Sequence, residues 1–153
     1  MPIAFETPDQ PEVHALITEL DEYLLGLYPP ESVYALDVQA LLQPNIQFAV
    51  ARDAAGAAIG CAAMVLCGEY GEIKRMYVRP AARGAGTARQ LMALLEQTGR
   101  GAGCPQLMLE TGPDMHEALA LYARQGFERC GPYGDYPDHP LSVFMRKPLK
   151  APD

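Results

Sequence analysis

The sequence has no tryptophan, three histidines, four cysteines and fewer basic than acidic residues. Each shortage excludes something. Twelve Lys and Arg against 19 Asp and Glu give a net charge of −7. A nucleic-acid partner is disfavoured, because phosphate-backbone binding needs a cationic surface. No apolar run approaches the ~20 residues of a membrane-crossing helix, so no membrane partner is expected. The start, MPIAFETPDQ, lacks the basic-then-apolar order of a signal peptide. Cys61, Cys67, Cys104 and Cys130 form no CxxC, and no histidine stands at zinc-ligand spacing from a pair of them. On one extended strand Cys61 and Cys67 would lie about 20 Å apart, too far for a disulfide. The four read as reduced core thiols of a cytoplasmic protein.

What is present suits an ordinary soluble domain. The chain of 153 residues is 49% hydrophobic and 20% charged, enough for a real core in one domain spanning 1–153. Residues 3–7 read as a short strand. A helix starts near Pro11 and runs to about Tyr28, with Val13, Leu16, Ile17, Leu20, Tyr23, Leu24 and Leu27 in a 3.6 period. YPPES breaks it, and VYALDVQALL reads as a second, shorter helix. IQFAVARD, IGCAAMVLCG and GEIKRMYV follow as three strands of a meander. A helix to about Gly101, the strand QLMLET and the helix DMHEALALYARQ come next, with Asp114 as expected N-cap and Gly126 as the stop. FERCG and SVFMRK close the chain as strands around the loop PYGDYPDHPL. The order is α+β, or mixed α/β, without repeat or linker.

The stretch VRPAARGAGTARQLMALLE places two glycines at the start of an apolar-periodic helix. Glycine weakens a helix start, so a bound anion is the expected compensation. Helix N-termini carry unpaired N–H groups and partial positive charge, and Gly84 and Gly86 put no side chain in the way of a phosphate. Arg83 and Arg89 add charge at the rim. A P-loop, GxxxxGK(S/T), is absent. A dinucleotide fingerprint, GxGxxG, fails at Arg89. The bland alternative is a glycine-softened turn before a packed helix.

VRPAARGAGTA also resembles the signature of the GNAT superfamily of N-acetyltransferases. That pattern is a strand, then Q/R-x-x-G-x-G/A, then a helix, and Arg83, Gly86 and Ala88 fill it. Downstream, EALALYARQGF is similar to the family's A-x-x-L-Y-x-x-x-G-F segment through Ala118, Leu121, Tyr122, Gly126 and Phe127. Two motifs at the usual separation are more specific than either alone, and the element order matches across the chain. The resemblance implies a central, mostly antiparallel twisted sheet flanked by helices. It implies acetyl-CoA as donor, with its pyrophosphate on Arg83, Gly84, Ala85, Gly86, Thr87, Ala88 and Arg89. It also implies backbone pairing of Met76, Tyr77 and Val78 with the pantetheine arm. One position departs: the family often carries Asn seven residues before the tyrosine, where this chain has Met115.

Acetyl transfer to an amine needs a base for the ammonium proton and an acid for the departing thiolate. The resemblance makes Tyr122 the acid; the alternative is a core tyrosine. Two bases stay open. Glu72 stands where histone acetyltransferases carry a glutamate, and Glu110 where ribosomal-protein acetyltransferases carry one. For each, the alternative is a strand-end carboxylate in a salt bridge with Lys74, Arg75 or Arg79. His14, His116 and His139 carry no convincing role, His139 reading as part of a turn rather than a metal site. The resemblance places the acceptor wall in LLGLYPPESVYALD and GPYGDYPDHPL, where Tyr28, Glu31, Asp37, Tyr133, Asp135 and Tyr136 would give an acidic, aromatic lining for a cationic amine. The implied activity is acetyl transfer to a small-molecule or peptide amine. A non-catalytic acyl-CoA-binding module is the alternative, a nucleotide-binding protein the weaker third reading, and a homodimer is left open.

Overall fold

The computed structural model describes residues 2–149. Seven strands form one sheet: β1 (Ile3–Phe5), β2 (Ile46–Arg52), β3 (Ala58–Leu66), β4 (Gly71–Val78), β5 (Gln106–Thr111), β6 (Glu128–Cys130) and β7 (Val143–Pro148). Their spatial order is β1-β2-β3-β4-β5-β7-β6. Every neighbouring pair is antiparallel except β4 and β5. Among the described residues there are also four α-helices, α1 (Pro11–Leu27), α2 (Val38–Leu41), α3 (Thr87–Gly101) and α4 (His116–Arg124), and two single 3-10 turns at Pro30–Ser32 and Pro80–Ala82.

The helices cover both faces, and strand alternation decides which residues meet them. On β3, Cys61 and Ala63 face the cluster built on Val13, Leu16, Ile17 and Leu20 of α1. Ala62 and Met64 face the opposite cluster, with Leu91, Met92 and Leu95 of α3 and Tyr122 of α4. Both clusters are closed: Val13, Leu16, Leu91 and Leu95 are fully buried.

Two irregularities in β4 open the sheet. The first is a bulge. Cys61 of β3 pairs with Tyr77 and Ala63 pairs with Lys74, so Arg75 and Met76 together oppose Ala62. Arg75 takes a positive φ of 57° there. Its buried guanidinium secures the kink, donating to the Leu36 carbonyl at 2.8 Å and to Asp21 at 2.5 Å. The second is a split. β4 pairs with β5 only from Gly71↔Leu107 to Ile73↔Leu109, although both strands run on. Past Ile73 the two diverge, and the edge of β4 toward β5 has no strand partner.

Several expectations need correction. The second helix is only Val38–Leu41; the Asp37 carboxylate caps it by accepting the Ala40 N–H at 2.8 Å, and the residues before it are extended. Asp114 is not the N-cap of α4. Met115 is, without a side-chain cap, and the Asp114 N–H instead donates to the Tyr28 hydroxyl at 2.9 Å. Cys67 lies just past β3 and is exposed, so it is no core thiol, while Cys61 and Cys104 are buried.

Candidate active site

Two cavities meet where β4 and β5 diverge. The larger, about 700 Å³, is lined by Met76, Tyr77 and Val78 of β4, by Arg83, Gly84, Gly86, Thr87, Ala88 and Arg89 of the glycine loop and α3, and by one side of α4. The smaller, about 110 Å³, lies between α1, the residues after it, β4 and β5. Leu20, Met76, Met115 and Ala118 line both, so the two are continuous.

The larger cavity is made of backbone. Gly84 and Gly86 hold φ of 88° and 83°, a region that L side chains rarely adopt. Gly86 caps α3 and, being glycine, brings no side chain to the cap. A helix start of this kind, next to open space at Gly84, has the chemistry to receive an anion. Arg83 and Arg89 stand beside it, and Arg83 bridges to Glu117 of α4 at 3.5 Å. A nucleotide pyrophosphate fits this cradle, and an extended amide-bearing arm fits the unpaired edge of Met76 to Val78. Of the expected donor-site residues only Ala85 is absent from the lining.

The smaller cavity is made of side chains. Tyr122 reaches it from α4 and is buried, its ring 5.8 Å from that of Phe127. Burial raises its phenol pKa well above the ordinary value, so it stays protonated across the physiological range. Glu110, on β5, lines the same cavity. Burial pushes its pKa up to about 7; Ser142 and Lys74 pull the other way, and the charge of Glu72 adds to the rise. Lys74 is largely buried, which lowers its pKa. Its ammonium donates to the Tyr34 carbonyl at 2.7 Å and lies 3.9 Å from Glu72.

The structure therefore separates the two candidate bases. Glu110 lines the smaller cavity, and Glu72 does not. Glu72 is buried and accepts hydrogen bonds from the hydroxyls of Tyr133 at 2.7 Å and Tyr136 at 2.6 Å. Of the expected acceptor wall, Tyr28 lines the cavity, while Glu31 and Asp135 are exposed outside it and Asp37 is spent on its cap. His116 is exposed, and His139 accepts the Leu141 N–H within its turn.

Sequence reading missed Lys74, Leu20 and Leu24 in the cavity wall. Lys74 had a signal: two residues after Glu72 on a strand, it shares that face. Gly112 was also missed. A side chain there would collide with the Tyr28 ring, whose hydroxyl ties the end of α1 to the start of α4.

A long cleft with a backbone cradle running into a small pocket with a raised carboxyl and a protonated phenol suits a group-transfer enzyme. Comparison with known proteins gives the class. The Acetyltransferase (GNAT) family matches residues 13–127, and the chain belongs to that family. An IAA acetyltransferase from Azospirillum brasilense is 49% identical over 149 residues, covering 96% of this chain and 97% of its own. A Klebsiella pneumoniae structure named as an acyl-CoA N-acyltransferase superposes with a TM-score of 0.83 at 37% identity, over 97% of both chains. A PaiA N-acetyltransferase from Thermoplasma acidophilum, in complex with coenzyme A, shares the fold at 16% identity, with a TM-score of 0.72 over 97% of this chain and 99% of its own. The chain is an acetyltransferase, and acetyl-CoA is its donor.

Proposed function

We propose that the chain works as one N-acetyltransferase domain. It moves acetyl from acetyl-CoA to a primary amine of a small molecule or peptide by direct attack, with Glu110 as base and Tyr122 as acid. The observation that supports this most is the junction: both side chains line the pocket into which the donor cleft opens. When bound, acetyl-CoA supplies the activated acyl carbon and a thiolate leaving group.

The residues divide the remaining work. Glu110 takes the ammonium proton, freeing the lone pair for attack; a carboxyl with a pKa of about 7 accepts it readily near neutral pH. Tyr122 gives its proton to the departing sulfur, and the second proton of the nitrogen, lost as the amide forms, restores the phenol. Leu20, Leu24, Met76 and Met115 keep the pocket apolar, which sharpens both transfers. Lys74 lies against Glu72, so their charges offset and Glu110 is left to face the amine. That balance suits a cationic acceptor, and a pocket of about 110 Å³ suits a small amine or one end of a peptide. A cytoplasmic location belongs to the same proposal.

Thiol release from acetyl-CoA across a panel of amines tests the reading. Acetyl-CoA should raise the melting temperature, by the equivalent of ~2.7 kcal/mol at a hundredfold excess over Kd. At least one amine should turn over, and Glu110→Gln should remove most of that turnover. Tight acetyl-CoA binding with no turnover on any amine would favour a non-catalytic acyl-CoA-binding module.

A further inference from the structure

We propose that Glu72 is a positioning residue: its carboxylate latches the loop between β6 and β7 onto the sheet through Tyr133 and Tyr136, closing the acceptor pocket over Glu110. The inference rests on the reading of Glu110 as the base.

Both phenol hydroxyls converge on one oxygen, Oε2, at 2.7 and 2.6 Å. Neutral donors to an ionised acceptor make short, strong hydrogen bonds. The two rings lie 5.1 Å apart and both pack edge-on against Phe144 of β7, at 5.8 and 5.6 Å. Tyr133 meets Tyr70 in the β3–β4 turn, and Tyr136 meets Tyr34 after α1, each at 5.3 Å. Lys74 Nζ sits 5.0 Å from the Tyr136 ring centre and donates to the Tyr34 carbonyl. One carboxylate thus ties the β6–β7 loop to β4, and the ring of Tyr136 carries the contact on to Tyr34 after α1.

The consequence reaches the reacting groups. Tyr34 and Leu141, the latter at the far end of the latched loop, both line the acceptor cavity. The latch holds these walls in place and keeps water from Glu110, whose raised pKa comes chiefly from burial. A carboxylate whose Oε2 already takes two hydroxyls, and which does not line the cavity, is badly placed to accept a substrate proton. The groups facing Glu72 are Lys74 on its own strand, Glu110 on β5, Tyr133 and Tyr136 on the loop, and Cys67 and Tyr70 in the β3–β4 turn.

The test compares a Tyr133→Phe/Tyr136→Phe double variant with Glu72→Gln and Glu110→Gln. The phenylalanines keep the rings and the Glu72 charge and remove only the hydroxyls. In the double variant KM for the amine should rise roughly tenfold, the worth of about one charge-assisted hydrogen bond. The limb of kcat/KM that reports Glu110 should move toward acid by about one pH unit as water re-enters. KM for acetyl-CoA should stay within about twofold, since the donor cleft is separate, and an unchanged thermal shift with acetyl-CoA certifies folding. Glu72→Gln should retain that limb, also displaced to acid, with kcat within about tenfold of wild type. Loss of the limb and of about 100-fold or more in kcat in Glu72→Gln, with a wild-type double variant, would make Glu72 the base and overturn the proposal. Wild-type KM and limb in both variants would overturn it as well. If instead Glu110→Gln keeps the limb, the reading of Glu110 is what fails.

Discussion

The donor cleft and the acceptor pocket share Met76 and Met115, yet they are built differently. The cleft is a backbone device. In the proposed reading its chemistry lies in N–H groups at the start of α3 and in the edge of β4 past Ile73, and its only strict demand on sequence is that little be in the way. The pocket is a side-chain device, assembled from α1, the loop after it, β4, β5, α4 and the β6–β7 loop. A site made of backbone leaves a local signature. A site made of side chains does not, because its members become neighbours only when the sheet forms.

Breaking each site should therefore give different kinetics. The largest effect is expected from Tyr122→Phe. The ring keeps its packing on Phe127, so folding and acetyl-CoA affinity should hold while kcat falls by ~10² to 10⁴, the range of general acid–base catalysis. The loss should shrink with a thioester whose leaving thiol is more acidic. Pre-steady-state kinetics, in a regime where chemistry limits turnover, checks it.

Gly86→Val strikes the other site. Valine cannot hold φ of 83° without strain, and its branched side chain would crowd Arg89, toward which any Cβ at this position points. Acetyl-CoA affinity should weaken by about 100-fold, while kcat at saturating donor changes far less. Calorimetric titration reads the first and steady-state kinetics the second.

The same contrast explains what could be read beforehand. Arg83, Gly86 and Ala88 lie within six residues and the members of the Tyr122 segment within ten, so family and fold were legible. Choosing between Glu72 and Glu110 was not. Both end up on strands in similar settings, and only the split after Ile73 and the hydroxyls of Tyr133 and Tyr136 distinguish them. Tyr133 lies 61 positions from Glu72, beyond any local pattern. The short α2 was misjudged because VYAL carries helical periodicity, but Asp37 caps a helix that begins only after it.

Smaller effects are expected at Glu110 and Glu117. Glu110 has a folded pKa of about 7, above its ordinary value of 4.5, so its protonated form is favoured by folding. Its stability contribution is fully present below about pH 4.5 and is lost as pH rises through 7. At pH 8 to 9 Glu110→Gln, which stays neutral, should be more stable than wild type by about 2–3 kcal/mol, and the gain should vanish below about pH 4.5. Melting curves across pH 4 to 9 measure this. The least effect is expected at the donor rim. Glu117 is highly exposed and pairs with Arg83 at 3.5 Å, competing weakly with a bound phosphate. Glu117→Gln should tighten acetyl-CoA by about twofold, and less at high salt.

The claim that Glu110 is the base stands or falls on the pH dependence of kcat/KM. The acceptor should be an amine whose own ionisation falls well away from pH 7. Wild type should show an ascending limb near pH 7, matching the raised Glu110 carboxyl, and Glu110→Gln should lose that limb together with about 100-fold or more in rate. A limb that survives unchanged in Glu110→Gln would contradict the claim.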